Sequence, residues 1–250
     1  MSMKRVILTV AALAIAALAV SCTVSINGKR MNTIKGQGSC LTREYELSGF
    51  ESIQISGCYD VRFIQTDGAY AVSVETYENI FERLDVRLDG KVLHLGQKGG
   101  SLFRTDKLAV TVQGPSLNQV IVNGSADLDI EHFKSADDLE LTVYGAGDFQ
   151  LRDISCDAFL VDVNGAGDLD VTELCCSRSA VTVNGAGDVD LEFIAAPEVN
   201  VSVNGAGDVR LSGVAGKVRY SISGAGNIDA RKLSCEDFDG KKAGVGSIKQ

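Results

Sequence analysis

The chain has 250 residues, a formal charge of −9, 27 glycines, only 2 prolines and no tryptophan. A surplus of carboxylates repels phosphate backbones, so no nucleic-acid partner is expected. The glycine-to-proline balance says that turns are made by residues free to take unusual backbone angles or to tolerate close approach, rather than by proline.

The first residues read as an address. Lys4 and Arg5 precede an apolar run from Val6 to Val20, too short for a comfortable membrane span, and then Ser21-Cys22. Ala19-Val20-Ser21-Cys22 resembles a bacterial lipobox, with Ala19 where leucine is usual. That assigns residues 1–21 to a lipoprotein signal peptide and makes Cys22 the acylated first mature residue; a plain secretory signal is the alternative. Either way the chain is exported, and removing Lys4 and Arg5 takes the charge to about −11. Residues 22–43 form the lipidated N-terminus and a polar tether. The membrane side stays open, because acidic residues do not directly follow Cys22.

Residues 44–107 are expected to be irregular. Phe50, Ile53 and Ile55 lead into Gly57-Cys58-Tyr59-Asp60 and then Val61, Phe63 and Ile64, a degenerate first copy of a strand-turn-strand unit. Ala71 to Val74 continues as a strand, Glu78 to Arg83 suits about one helical turn, and Leu84 to Leu95 predicts a hairpin around Asp89-Gly90. Gly96 to Thr105 is expected to be a loop.

From residue 108 to 250 the pattern is regular. Gly-Ser-Ala-Asp opens at Gly124, Gly-Ala-Gly-Asp follows at Gly145, Gly165, Gly185 and Gly205, Gly-Ala-Gly-Asn at Gly224 and Gly-Val-Gly-Ser at Gly244. A period of about 20 residues with strand-like flanks predicts a solenoid in which each repeat is one coil stacked on the last. Phe159, Val161, Val163, Leu169, Val171 and Leu174 are the inward positions of one repeat. Val181, Val183, Val189 and Leu191 serve the next, then Val199, Val201, Val203, Val209 and Leu211. Gly240 and Lys242 stand where Val201 and Val203 do, so the last coil is polar and covers the open edge.

Outward positions repeat as well. Asn123, Asn164, Asn184 and Asn204 precede the turn, interrupted by Tyr144 and Ser223; stacked amides can hydrogen-bond along the array. After the turn stands the column Asp127, Asp148, Asp168, Asp188, Asp208 and Asn227. Carboxylates about 4.8 Å apart repel by roughly 1 kcal/mol in water and more near a protein surface, so the column needs compensation. Structure supplies one answer, with each Asp accepting N–H groups of its own Gly-Ala-Gly turn. Calcium is the other, since pairs such as Asp168 with Asp170 and Asp188 with Asp190 are similar to calcium-binding nonapeptide β-rolls. The period is wrong for such a roll, and Gln150 and Arg210 replace the second acid in two copies.

The opening strand Phe50-Glu-Ser-Ile-Gln-Ile-Ser-Gly57 and the Gly-Ala-Gly-Asp turns, several preceded by Val-x-Val-Asn, resemble the head GIN domain family over residues 44–248. The resemblance implies an all-β, right-handed parallel β-helix and an exported, adhesin-like bacterial lipoprotein of the outer membrane. It brings no catalytic residues and no ligand. The partners it leaves open are a glycan, a matrix protein or another envelope protein.

No enzyme motif competes with that reading. There is no Gly-x-Ser-x-Gly elbow, and Gly-Ala-Gly-Asp lacks the third glycine and the following helix of a dinucleotide site. Paired carboxylates on a β-helix are the carbohydrate-active alternative, but a repeating ladder gives each Asp nearly the same environment, whereas catalysis needs two unlike ones. No cofactor is expected beyond the calcium alternative, and zinc has no Cys-x-x-Cys pair and only His94 and His132 to draw on. Cys156 and Cys176 each lie eleven residues after their repeat's first glycine and stack on neighbouring coils, either as a disulfide or as small buried thiols.

Overall fold

The computed structural model describes residues 33–250 together with the backbone of 25–26 and 29–30. The signal peptide at 1–21 and the acylation site Cys22 lie outside the described residues. The protein is all-β: twelve strands form one hydrogen-bonded sheet that does not close into a barrel, beside a parallel pair, Thr33–Lys35 with Leu102–Arg104, and a short hairpin, Ser25–Ile26 with Lys29–Arg30.

The main ladder is parallel and in register with the glycines. Ser52–Gln65 pairs with Gln119–Lys134 so that Gly57 faces Gly124, and Gln119–Lys134 pairs with the start of Leu139–Val183 so that Gly124 faces Gly145. Val189–Val203, Val209–Ile222, Ile228–Lys242 and Ile248–Lys249 follow, each parallel to the one before. Successive repeats are therefore neighbours in space. The first step differs only in length of chain, since Gly57 and Gly124 face each other across 67 positions of sequence.

Alternation decides which side chains go inside. Every inward position named from the third repeat onward is buried, from Phe159 and Val161 through Val209 and Leu211. Each such side chain contributes roughly 1.5–3 kcal/mol when removed from water, and neighbouring repeats supply both the hydrogen bonds and the opposing surface. At the far end Tyr220 faces Gly240 and Ile222 faces Lys242, and Lys242 is exposed, so the interior does thin into polar residues as its sequence predicts.

The turns demand glycine for want of room. A Cβ on Gly185 would sit 1.9 Å from the carbonyl oxygen of Gly165, and one on Gly165 would sit 2.0 Å from that of Gly145. A rigid backbone group cannot give way as a flexible side chain would.

Residues 66–118 build a different kind of structure. Leu108–Gly114 joins the ladder parallel to Ser52–Gln65, and Ala71–Tyr77 then pairs with it antiparallel. Cys40–Tyr45 adds another antiparallel strand, while Leu84–Asp89 and Val92–Gln97 form the expected hairpin with Gly90 at φ +59°. The expected helical turn is Glu78–Phe81, with Ile80 and Phe81 buried and the guanidinium of Arg43 4.3 Å above the Phe81 ring.

Three strands depart from expectation. Thr33–Lys35 and Cys40–Tyr45 are strands inside or across the stretch read as a tether, and Leu102–Arg104 is a strand inside the expected loop. Cys40–Tyr45 is exposed along nearly its whole length, so no apolar alternation marks it; backbone pairing with Ala71–Tyr77 holds it. Asn79 ties the incoming chain down, its amide donating to the Lys35 carbonyl at 2.9 Å and accepting the Gln37 N–H at 2.8 Å.

Candidate functional site

The ladder places the post-turn acids in one outward column. Asp127 faces Asp60, so the column begins one repeat earlier than the regular motif shows. Asp60 belongs to the degenerate copy, 67 residues upstream, and only the Gly57-Cys58-Tyr59-Asp60 spacing marks it.

The hydrogen bonds correct the expected turn chemistry. The acceptors serve the following repeat, not their own turn. The main-chain N–H of Asp148 donates to Asp127 Oδ1 at 3.0 Å, that of Asp188 to Asp168 at 2.9 Å and that of Asp208 to Asp188 at 2.9 Å. Asn227 N–H reaches Asp208 at 3.1 Å, and Ser247 N–H reaches Asn227 Oδ1 at 2.8 Å. The reason is geometric: the next repeat's turn sits directly above, where its N–H points at the carboxylate below. A charge-assisted bond of this kind offsets part of the repulsion between stacked carboxylates.

A second outward column two residues on contains Arg62, Asp129, Gln150, Asp170, Asp190, Arg210 and Asp229. Arg210, which interrupts the acidic pairs in the sequence, neutralises them: its guanidinium lies 3.0 Å from Asp190 and 3.8 Å from Asp188. Arg62 does the same for Asp129 at 2.9 Å. Two shallow grooves run along this face, one of about 530 Å³ between Asp170 and Lys232 and one of about 460 Å³ between Asp60 and Gln150.

Among the described residues no three His, Cys, Asp or Glu side chains come together as a metal-holding group. Stacked carboxylates form a line along the array rather than a cage, while calcium takes six to eight converging oxygens.

The junction between the irregular part and the repeats also brings unlike polar groups together. Tyr59 is buried and its hydroxyl donates to the Gly96 carbonyl at 2.5 Å, with burial pushing the phenol well above its usual range. Beside it a groove of about 200 Å³ is lined by Cys58, Asp60, Thr105, Asp106 and Asp127. Burial, and then the charge of Asp127, push the Asp60 carboxyl up. Tyr144 is 52% exposed on the other outward face, where the amide ladder runs from Asn204 to Asn184 at 3.0 Å and from Asn184 to Asn164 at 2.9 Å.

Taken together, these features define a repetitive all-β stack whose outward faces carry polar columns. The family model described as "Putative auto-transporter adhesin, head GIN domain" matches residues 49–176 and 171–249. The chain belongs to this family.

Solved structures agree on the fold. A "putative adhesin" from Bacteroides fragilis NCTC 9343 is 25% identical with a TM-score of 0.73, covering 86% of this chain and 99% of its own. A "putative adhesin" from Parabacteroides merdae ATCC 43184 is 19% identical with a TM-score of 0.61, covering 87% and 98%. A "Putative lipid binding protein" from Parabacteroides distasonis ATCC 8503 is 18% identical with a TM-score of 0.66, covering 87% and 99%. The family and the first of these structures are described as adhesins, not as enzymes. No curated protein matches the chain. Among the described residues no helix is long and apolar enough to cross a membrane.

Proposed function

We propose that the protein is a non-catalytic, adhesin-like envelope protein, anchored through a lipid on Cys22 in the outer membrane and folded as a right-handed parallel β-helix of about 20-residue coils. Its repetitive outward faces bind a partner, either a glycan, a matrix protein or another envelope protein. The observation that carries the reading is the in-register repetition of outward polar side chains, each held by its neighbour, which suits an extended partner better than a small substrate.

Two measurements test it. Palmitate labelling in the native host is expected to mark the wild type and not C22S. On immobilised glycans and matrix proteins, the chain is expected to bind a partner, and replacing Asp168, Asp188 and Asp190 by Ala, or Asn184 and Asn204 by Ala, is expected to weaken that binding at least tenfold. Binding that survives both sets of substitutions would move the contact away from these faces.

A second reading, a calcium-dependent or carbohydrate-active protein, rests on Asp60. Asp60 lines the groove shared with Cys58, Thr105, Asp106 and Asp127, and burial and then Asp127 push its carboxyl up, a setting unlike the turns of the regular repeats. Release of reducing sugars from a polysaccharide panel, lost in D60N, would establish it.

A further inference from the structure

A column at one inner corner consists of small residues, buried from Cys156 to Ala215 and half-buried at Cys235. Cys176 stacks on Ala196, Ala196 on Ala215 and Ala215 on Cys235, following the registers that pair Cys175 with Ala195 and Ala215 with Cys235. Cys156 precedes Cys176 in that column, because Gly145 and Gly165 are stacked and each cysteine follows its glycine by the same number of residues. Side-chain contacts confirm the alignment two residues further along: Asp138 accepts the Ala158 N–H at 3.1 Å and the Arg178 guanidinium at 3.2 Å, so positions 138, 158 and 178 stand above one another.

Both thiols point into the interior, with Cys156 7% and Cys176 5% exposed, and both are free. Neighbouring strands place their Cα atoms about 4.8 Å apart, inside the roughly 4.4–6.8 Å window of disulfides. Closure draws the Cβ atoms together by some tenths of an ångström, to about 4 Å. Other pairings are ruled out by position. Cys235 lies three steps beyond Cys176, roughly 14 Å away. Cys175 is exposed and faces out.

We propose that Cys156 and Cys176 close an inter-repeat disulfide when the chain meets a small-molecule disulfide of the glutathione type. One cysteine thiolate attacks the small disulfide, forming a mixed disulfide and releasing one small thiolate. The second cysteine thiolate then attacks the protein-side sulfur of the mixed disulfide and releases the other half. Two protein S–H bonds and one small-molecule S–S bond break, one protein S–S bond forms, and the two protons leave on the two released thiols. The protein loses two electrons and the small disulfide gains them.

Timing follows from burial. Inside the fold both thiols are pushed up to about 12 by loss of water, leaving little thiolate, so closure belongs to folding rather than to the finished array. The proposal stands apart from the lipid anchor and from any partner.

The test refolds the full chain, in detergent and fully reduced, from denaturant into a mixture of reduced and oxidised glutathione. Free thiols are then alkylated under denaturing conditions and the digest is mapped by mass spectrometry. A linked Cys156–Cys176 peptide in most chains is expected, with Cys40, Cys58, Cys175 and Cys235 alkylated. Adding dithiothreitol is expected to lower the melting temperature by roughly 6–12 °C, by analogy with disulfides closing loops of similar length. Cys156→Ala and Cys176→Ala fold, since alanine already fills this column at 196 and 215, and each is expected to melt like the reduced wild type and to ignore dithiothreitol. Refolded β-sheet chains with Cys156 and Cys176 both alkylated, or linked to Cys175 or Cys235 instead, would overturn the proposal.

Discussion

The two halves of the sheet solve the same problem by different means. From Gln119 onward each strand lies parallel to the one before it, and the repeat itself dictates the register, because glycine must stack on glycine. Between Gln65 and Gln119 parallel and antiparallel pairings mix, one register comes from a tight hairpin, and individual side chains pin the pieces: Asn79 across to Lys35, Tyr59 across to Gly96. Repetition spreads stability over many equivalent contacts; the irregular part concentrates it in a few. A substitution in the first region therefore acts through backbone fit, and one in the second through the loss of a particular bond.

The sharpest contrast is between two glycines. Gly185→Ala drives a methyl into the Gly165 carbonyl, and we expect a loss of more than about 3 kcal/mol or failure to fold, read as a fall in the urea midpoint. A Cβ on Gly90 meets nothing within 4 Å, so Gly90→Asn, which tolerates its positive φ, is expected to cost under about 1 kcal/mol. If both cost the same, the registers of the two regions have a common origin after all.

Next in size is Tyr59→Phe, which leaves the Gly96 carbonyl without its buried donor. An expected loss of about 1–3 kcal/mol would show first as faster hydrogen exchange in Val92–Gln97, with the repeats unaffected. Asp188→Ala removes an acceptor from the Asp208 N–H and is expected to cost about 0.5–1.5 kcal/mol, while Asp188→Asn keeps an acceptor and costs less. The same protein is expected to melt alike in EDTA and in millimolar calcium. A large calcium-dependent rise, lost when Asp168 and Asp188 are both Asn, would make the column a metal site.

The smallest effects separate the regions by pH. Hydrogen bonding from His132 holds the Asp153 carboxyl below its usual range, and Arg231 does the same for Asp229, so their stabilisation is present above the unfolded carboxylate range and fades as pH falls through the folded values. Asp60 has the opposite sign. Its carboxyl is pushed up, so the relative stability it gives is fully present below the unfolded value and is lost as pH rises through the folded one. Asp60→Asn is therefore expected to raise the melting temperature slightly at neutral pH, the gain vanishing near pH 3.

How much of this was legible in the sequence follows the same division. Alternating Val and Leu around the Gly-Ala-Gly turns identify the interior, and Val181, Leu191 and Val203 are all buried as their spacing requires. The hairpin at Asp89-Gly90 is equally readable, because its turn chemistry is local. Cys40–Tyr45 is not, since a mostly exposed strand held chiefly by backbone bonds leaves no apolar alternation to read. Asp60 hides for a related reason: a long excursion of chain separates it from Asp127, and contact across that distance has no period to betray it. The direction of the aspartate hydrogen bonds was also out of reach, because one repeat's sequence does not say which neighbour will supply its donor.

That direction has a consequence of its own. Every bond in the aspartate column passes from a later repeat's N–H to an earlier repeat's oxygen, and the amides of Asn204 and Asn184 point the same way. The array is thus vectorial. Within these two side-chain columns a cross-section exposes oxygens on the side facing later repeats and N–H groups on the side facing earlier ones, whereas the main-chain ladder donates both ways, Leu169 N–H up to the Asp188 carbonyl and Asn184 N–H down to the Val163 carbonyl. Along these columns two stacks can meet head to tail, oxygen against N–H, whereas head to head would set oxygen against oxygen. Anything that extends or copies the stack must arrive with the same polarity.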